Sequence, residues 1–336
     1  MKFSHKHYAP IIKSKRGELW ALAHLQDATR HWLTPVIEIH SPNNKTVAQH
    51  LLAVFKQIAN AWPPHLPLYL DTIWLRDLGM TTTQVTAIYE AARSHQIQFI
   101  PVIHLTDGPN SLDAAKDAMQ LDQRGVLLRL KSNEVASPAI DGVLNYMGTQ
   151  ATQVDLLIDF GKQSMSLPDV LPVTRHLQQW RNLISSSGVF PNSLMSLPTN
   201  AWNSVPRNCW LTWEQPVLSG SLPRNPAFSD YTTRSPGPAP TFGMPSSNVR
   251  YAVADNWQTQ MRGKLKGGGG ADMQPICASL ITQPFYRGPQ FSEGDDIFSQ
   301  VASGQLSTGG STEWVQWSAN HHLELVAKQI HNHSGL

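Results

Sequence analysis

The sequence contains little cysteine, little net charge and no long hydrophobic run. Only two cysteines, Cys209 and Cys277, occur among the 336 residues, which excludes a disulfide framework and is typical of a reducing compartment. The formal net charge is +2, so the overall charge does not indicate binding to nucleic acid. No apolar run approaches the roughly 20 residues of a membrane-spanning helix, and the basic N-terminus lacks the apolar core of a secretion signal. The sequence therefore predicts a soluble, cytoplasmic globular protein without a membrane partner.

The short motifs that identify many enzymes are also missing. The chain has no His-Glu-x-x-His, no P-loop, no Gly-x-Ser-x-Gly and no Cys-x-x-Cys. A function must therefore be argued from where individual polar residues fall in the predicted fold.

Short apolar segments recur along the chain at a nearly even spacing. They begin at Tyr8, Thr34, Leu66, Gln98, Gly125, Val154 and Asn192, and an eighth covers residues 227–233. Continuous apolar runs of this length are typical of strands that are buried on both faces, as in a parallel sheet. Segments with apolar residues at helical spacing lie between them, at residues 46–62, 81–96, 136–151 and 171–187.

The alternation of strands and helices predicts an α/β protein, in the form of a (β/α)₈ TIM-like barrel with a long insertion before the last helix. A doubly wound open α/β sheet is the alternative, because the number of strands does not prove that the sheet closes. In the barrel interpretation, residues 1–233 supply the barrel strands and helices, residues 234–318 form a loop-rich insertion or lid, and residues 319–336 return to the barrel as the final helix.

Polar side chains stand at or next to the ends of six predicted strands. They are Lys13, Glu38, Asp71, His104, Arg129 and Asp159. The C-terminal ends of barrel strands converge at one mouth, which is where barrel enzymes carry their active sites. A charge at the end of a buried strand is costly unless it is paired, hydrated or bound to a ligand.

These residue types suggest a chemistry for the mouth. We expect Glu38, Asp71 and Asp159 to bind a divalent cation such as Mg²⁺, or to act together with His104 as catalytic acids and bases. Lys13 and Arg129 would bind an anionic substrate. A structural network of salt bridges at the barrel mouth is the alternative interpretation of the same residues.

The two ends of the chain resemble the phage and bacterial Beta protein family. The N-terminal resemblance lies in the segment YAPIIKSKRGELWAL, which begins at Tyr8. The C-terminal resemblance lies in Arg287, Gly288, Phe291, Ser292, Gly294 and Asp295, followed by residues 302–304 and by the pair His321 and His322. The resemblance implies a phage or mobile-element context, but it does not imply a particular reaction.

The resembling residues fall mostly in the predicted insertion. Arg262 and Arg287 each precede a glycine, and a guanidinium beside exposed backbone amides suits an anionic substrate. The sequence predicts that the last helix covers residues 320–331, with Ser318 or Asn320 as its N-cap, so that the histidine pair opens it. A helix N-terminus would lower a histidine pKa. We expect the insertion to fold over the mouth and to bring Arg287 and one histidine, preferably His322 as a catalytic group, to the carboxylates.

Two classes of function follow from these residues. The first is a metal-assisted phosphoester or nucleotide hydrolase, whose substrate is a phosphorylated small molecule or a nucleic acid. The alternative is a non-catalytic binding or adaptor protein in phage-related or defence-related biology, in which loop tryptophans contact a protein partner.

Overall fold

A computed structural model describes residues 2–42, 46–191, 194, 196–237, 246–264 and 273–332. Eight parallel strands form one sheet, and each strand pairs with the next along the chain, apart from β8, which belongs to a second sheet. The eight strands are β1 (Ile11–Lys13), β2 (Val36–Glu38), β3 (Leu68–Asp71), β4 (Phe99–His104), β5 (Val126–Lys131), β6 (Val154–Asp159), β7 (Asn182–Ser187) and β9 (Ala227–Asp230).

The two edge strands of this sheet, β1 and β9, are joined by the residues that precede β1 in the sequence. Tyr8 forms a parallel bridge with Phe228, and the Ala9 N–H donates a hydrogen bond to the Phe228 carbonyl at 2.9 Å. The sheet is therefore nearly closed, and the predicted TIM-like (β/α)₈ architecture is confirmed.

Helices alternate with the strands around the outside. Those up to the last barrel strand are α1 (Arg16–Ala23), α2 (Asp27–Arg30), α3 (Val47–Ala61), α4 (Thr82–Ser94), α5 (Pro109–Asp122), α6 (Ala139–Met147), α7 (Leu167–Val170) and α8 (Asn208–Leu218). Local sequence explains several of their starts. Thr81 and Gln84 form a reciprocal capping box at α4, the Thr46 side chain caps α3, and Pro109 occupies the first turn of α5.

The seventh barrel strand corrects the sequence interpretation. The helix predicted over residues 171–187 is wrong, because this stretch contains a short 3₁₀ turn (Leu171–Val173) and then strand β7, which pairs with β6 and β9 as the seventh barrel strand. The reason is that β7 has only two apolar residues, Leu183 and Ile184, before three serines, which hide the apolar run expected of a buried strand. The start of the predicted strand at Asn192 lies outside the described residues.

A second group of elements lies in the connections that follow β7 and β9, and we call it the cap. It consists of β8 (Trp202–Pro206), β10 (Ser246–Ala252), β11 (Asn256–Lys264), α9 (Met273–Ile281) and α10 (Glu293–Ala302). The three strands form an antiparallel sheet in the order β10-β11-β8. Strand β8 comes from the connection after β7, so the cap draws on two barrel connections and not on residues 234–318 alone.

The final helix, α11 (Ser311–Asn332), begins nine residues before the predicted position. The Glu313 carboxylate accepts a hydrogen bond from the Gly310 N–H at 3.0 Å at its start, and Trp314 and Trp317 are buried within the helix. The expected caps Ser318 and Asn320 therefore lie in the helix interior. Asn320 instead donates to the carbonyls of Ala21 and His24, which ties α11 to α1. No helix in the described part of the chain is long and apolar enough to cross a membrane.

Candidate functional site

The six predicted strand-end residues all point into the barrel mouth. Side chains two positions apart on a strand share one face of the sheet. Each of the six comes two residues after a member of the apolar cluster that fills the barrel interior, namely Ile11, Val36, Tyr69, Val102, Leu127 and Leu157. The apolar cluster closes the barrel below, and the polar side chains form the layer above it.

Arg129 lies at the centre of this polar layer. Its Nη1 donates to Glu38 Oε1 at 2.8 Å and to Asp71 Oδ2 at 2.7 Å, and its Nη2 donates to Asp159 Oδ2 at 2.7 Å. Its Nε donates to Asp159 Oδ2 at 3.1 Å, and the second N–H of Nη2 donates to the Tyr231 hydroxyl oxygen at 2.6 Å. All five N–H groups of this guanidinium are therefore used. We call the members of this network, together with His104, the charged ring: Glu38, Asp71, His104, Arg129, Asp159 and Tyr231.

The carboxylate oxygens of the charged ring are equally occupied. Glu38 Oε2 accepts from the Trp74 indole at 2.8 Å, and Asp159 Oδ1 accepts from the Gly161 N–H at 2.8 Å. Asp71 Oδ1 accepts from the Ile73 N–H at 2.9 Å. With the bonds from Arg129, each of the six oxygens has a donor.

This donor set does not fit the predicted Mg²⁺ site at Glu38, Asp71 and Asp159. A cation among these carboxylates would take the place that the Arg129 guanidinium holds. Within the described residues, no group of three or more His, Cys, Asp or Glu side chains is arranged to hold a metal ion. The three carboxylates are thus bridged by an arginine side chain.

His104 and Asp71 form a hydrogen-bonded pair at one side of the ring. His104 Nε2 donates to the two Asp71 oxygens at 3.1 and 3.2 Å, and its Nδ1 has no hydrogen-bond partner among the described residues. Burial alone would raise the pKa of Asp71, but the charges and hydrogen bonds of His104 and then Arg129 outweigh it and hold this pKa below its usual range. The His104 side chain is 11% exposed and that of Asp71 is fully buried, so the imidazole is the accessible member.

Lys13 belongs to the mouth but not to the charged ring. Its Nζ donates to the carbonyls of Ser235 and Gly237, at 3.4 and 2.5 Å. Lys13 therefore anchors the segment that follows β9, residues 231–237, across the barrel rim. Burial lowers the pKa of this amine, although Glu18 and Glu38 oppose the effect.

Sequence reasoning missed three residues of the mouth. Tyr231 donates its hydroxyl hydrogen to Asp159 at 2.6 Å, and Trp74 binds Glu38. Glu18, in the first turn of α1, has a carboxyl that is buried beside Lys13. Tyr231 comes directly after the last barrel strand, so the strand-end rule would have found it, whereas Trp74 and Glu18 lie on helical turns and carried no such signal.

The two histidines of α11 do not reach the charged ring. His322 Nε2 donates to Asp230 Oδ2 at 2.8 Å, and its ring stacks on Trp257 at 4.7 Å. Asp230 ends β9 and shares a face with Phe228, which packs towards the outer helices, whereas Tyr231 follows directly and faces the barrel interior. The expectation that His322 faces the mouth was wrong, because α11 begins earlier than predicted and the histidines lie in its buried middle. The pKa of His322 is lowered by burial and not by a helix N-terminus.

His321 joins α11 to the cap, and Arg287 makes its backbone hydrogen bond within the cap. His321 Nδ1 bonds Asp295 at 2.7 Å and Nε2 bonds the Ala252 carbonyl at 2.8 Å, while Tyr251 also donates to Asp295 at 2.7 Å. Arg287 is exposed, and its N–H donates to the Tyr251 hydroxyl. Neither Arg287 nor the half-buried Arg262 has a hydrogen bond or ion pair to the ring in the described part of the chain, and their role in substrate binding stays a prediction.

The comparisons with known proteins identify a family. The family model described as Beta protein matches residues 8–328, which include the barrel, the cap and most of α11. No curated protein matches the chain significantly.

Proposed function

The chain belongs to the Beta protein family, and we propose that it is a phage-related or mobile-element protein that hydrolyses a phosphoester at its barrel mouth. The observation that carries the proposal is the His104–Asp71 pair, held in a ring of charged strand ends. Asp71 fixes the imidazole through Nε2, which leaves Nδ1 to take a proton from an attacking water. The substrate is a phosphorylated small molecule or a nucleic acid.

Other members of the ring have supporting roles in this proposal. Asp159 is the second accessible group, since 13% of its side chain is exposed compared with 5% for Arg129. Asp159 can accept a hydrogen bond from the attacking water, and His104 gives the proton that it has taken to the leaving oxygen. Arg129 keeps the carboxylates apart and oriented, and it is a positioning residue because none of its donors is left for a substrate.

The proposal is tested with a panel of aryl phosphates, phosphodiesters and nucleotides, assayed with and without EDTA. We expect His104→Gln and Asp71→Asn to lower kcat by about 10²–10⁴-fold, the usual contribution of general acid–base catalysis. Asp155→Asn is the matched control, because Asp155 is equally buried and also pairs with an arginine, Arg181, at the opposite end of the barrel. Equal losses in all three variants, or no turnover by the unmodified protein, would remove the proposal.

A non-catalytic binding or adaptor role is the second candidate. The observation in its favour is that the ring satisfies its own hydrogen bonds, as a structural network does. The loop tryptophans do not support a protein contact surface, because Trp210, Trp213, Trp257, Trp314 and Trp317 are buried in the protein itself. This role would be favoured if a partner protein copurifies in stoichiometric amount and no substrate of the panel is hydrolysed.

A further inference from the structure

The mouth holds a second group of charged residues, on the side of β1 and β9. It lies beside the charged ring and consists of Lys13, Glu18 and Arg234. Lys13 ends β1, Glu18 stands in the first turn of α1, and Arg234 belongs to the segment 231–237 that Lys13 anchors. Two parts of the chain therefore bring the three residues together: the turn from β1 into α1, and the segment that follows β9.

Arg234 has a guanidinium available for a ligand. Its side chain is half-buried and makes no hydrogen bond or ion pair with any described residue, while its backbone N–H donates to the Tyr231 carbonyl. This differs from Arg129, whose five donors are all used within the charged ring. Any anion that enters the mouth therefore finds free guanidinium donors at Arg234 and not at Arg129.

The neighbourhood of Arg234 carries an excess of positive charge. Arg250 is half-buried, donates to the Thr233 carbonyl and packs on the Phe190 ring at 4.5 Å. Burial and the nearby charge of Arg234 lower the pKa of Arg250 to about 9, so two like charges lie close together here. An anion between them relieves this repulsion.

Glu18 is a buried carboxyl without a partner in the described part of the chain. Only 4% of the residue is exposed, and it makes no hydrogen bond or ion pair there, although Arg234, Lys13 and Lys15 are close enough for their charges to act on it. Burial outweighs these charges and raises the pKa of Glu18. A raised pKa favours the protonated form of the carboxyl, and that form is a hydrogen-bond donor, which suits a phosphate oxygen.

We propose that Arg234, Lys13 and Glu18 form a phosphate subsite in the barrel mouth, which binds the terminal phosphoryl group of a phosphomonoester. A terminal group is favoured over an internal phosphodiester because Glu18 is too deeply buried for a continuous nucleic-acid strand to pass over it. The inference rests on the proposed phosphoester hydrolysis, since it places the anionic end of that substrate beside the charged ring.

Binding of inorganic phosphate, measured by calorimetry, tests the subsite without any need for turnover. We expect Arg234→Gln to weaken phosphate binding by about 10–100-fold, the value of a hydrogen bond from a charged donor. Arg124→Gln is the matched control, since it removes another half-buried arginine, which lies just before β5 at the opposite end of the barrel, and it should leave the affinity unchanged. Thermal unfolding without phosphate verifies that both variants fold.

Glu18 variants test whether the Glu18 carboxyl donates a hydrogen bond to phosphate or repels phosphate as a carboxylate. Glu18→Gln keeps a donor and should bind phosphate within about threefold of the unmodified protein, whereas Glu18→Leu should lose about tenfold. Tighter binding by Glu18→Gln, or equal affinities of Arg234→Gln and Arg124→Gln, would overturn the subsite. A 5′-phosphorylated oligonucleotide should compete with phosphate and its unphosphorylated form should not.

The outcomes distinguish the two proposals. Phosphate binding at Arg234 without hydrolysis would contradict the proposed function alone. Hydrolysis that depends on His104, with phosphate affinity independent of Arg234, would contradict the subsite alone.

Discussion

Replacement of Arg129 by methionine removes the cation that bridges the three ring carboxylates. Glu38 and Asp71 are almost completely buried, and each loses a hydrogen bond from Nη1. Asp159 loses its bonds from Nε and Nη2 but keeps those from Tyr231 and Gly161. Methionine has a similar length and fills the space without a charge, so the change acts through electrostatics rather than through a cavity.

The expected cost is large and depends on pH. Removing one partner of a buried ion pair costs about 3–5 kcal/mol of unfolding free energy, and here three carboxylates lose the same partner. In the unmodified protein the pKa of Asp71 lies below its unfolded value, so its contribution to stability is present above about pH 4 and is lost as the pH falls further. In the variant, protonation relieves the repulsion among the carboxylates. The stability difference between the two proteins should therefore shrink as the pH falls from 7 to 5.

Urea unfolding followed by tryptophan fluorescence at pH 7 and pH 5 measures this difference. Arg181→Met is the control, because Asp155 would still accept hydrogen bonds from Asn182 and Tyr69 at the other end of the barrel. We expect a smaller loss in the control and a weaker pH dependence. A loss below about 1 kcal/mol for Arg129→Met at pH 7, the range of a surface salt bridge, or a difference that does not change with pH, would refute the reasoning.

Two further predictions concern α11 and its contacts. Burial lowers the pKa of His322, so below about pH 6.5 the unfolded chain binds a larger fraction of a proton than the folded protein does, and stability should fall by up to about 1.4 kcal/mol per pH unit from this group. His322→Gln should reduce the slope of unfolding free energy against pH between 6.5 and 5, and an unchanged slope would contradict the assignment. Gly294→Ala should destabilise the protein by about 1–3 kcal/mol, since a Cβ there would lie 2.3 Å from the Trp317 carbonyl oxygen. Gly142→Ala, in the middle of α6 with open space around it, should instead stabilise by about 0.5–1 kcal/mol, and thermal unfolding of both variants would reveal a reversed order.

The strand ends were predictable because they depend on local periodicity. A buried parallel strand requires consecutive apolar residues, and the first polar residue after such a run marks the point where the strand reaches the mouth. That rule identified Glu38, Asp71 and Arg129 from the sequence, and the barrel then brings them into contact. The same rule failed at β7, because three of its buried positions hold serines and the strand therefore lacks the apolar run on which the rule depends.

The chemistry of the charged ring was decided by tertiary structure. Whether three carboxylates share a metal ion or an arginine depends on the direction of one long side chain, and the residues around Arg129 are far apart in the sequence. The burial of His322 likewise follows from where α11 begins and from its contact with Asp230, 92 residues away. The sequence by itself determined the alternation of elements and the polar layer at the mouth, because both repeat over a few residues. Only the folded barrel decided which charges pair, because pairing depends on distances across the barrel that no local pattern encodes.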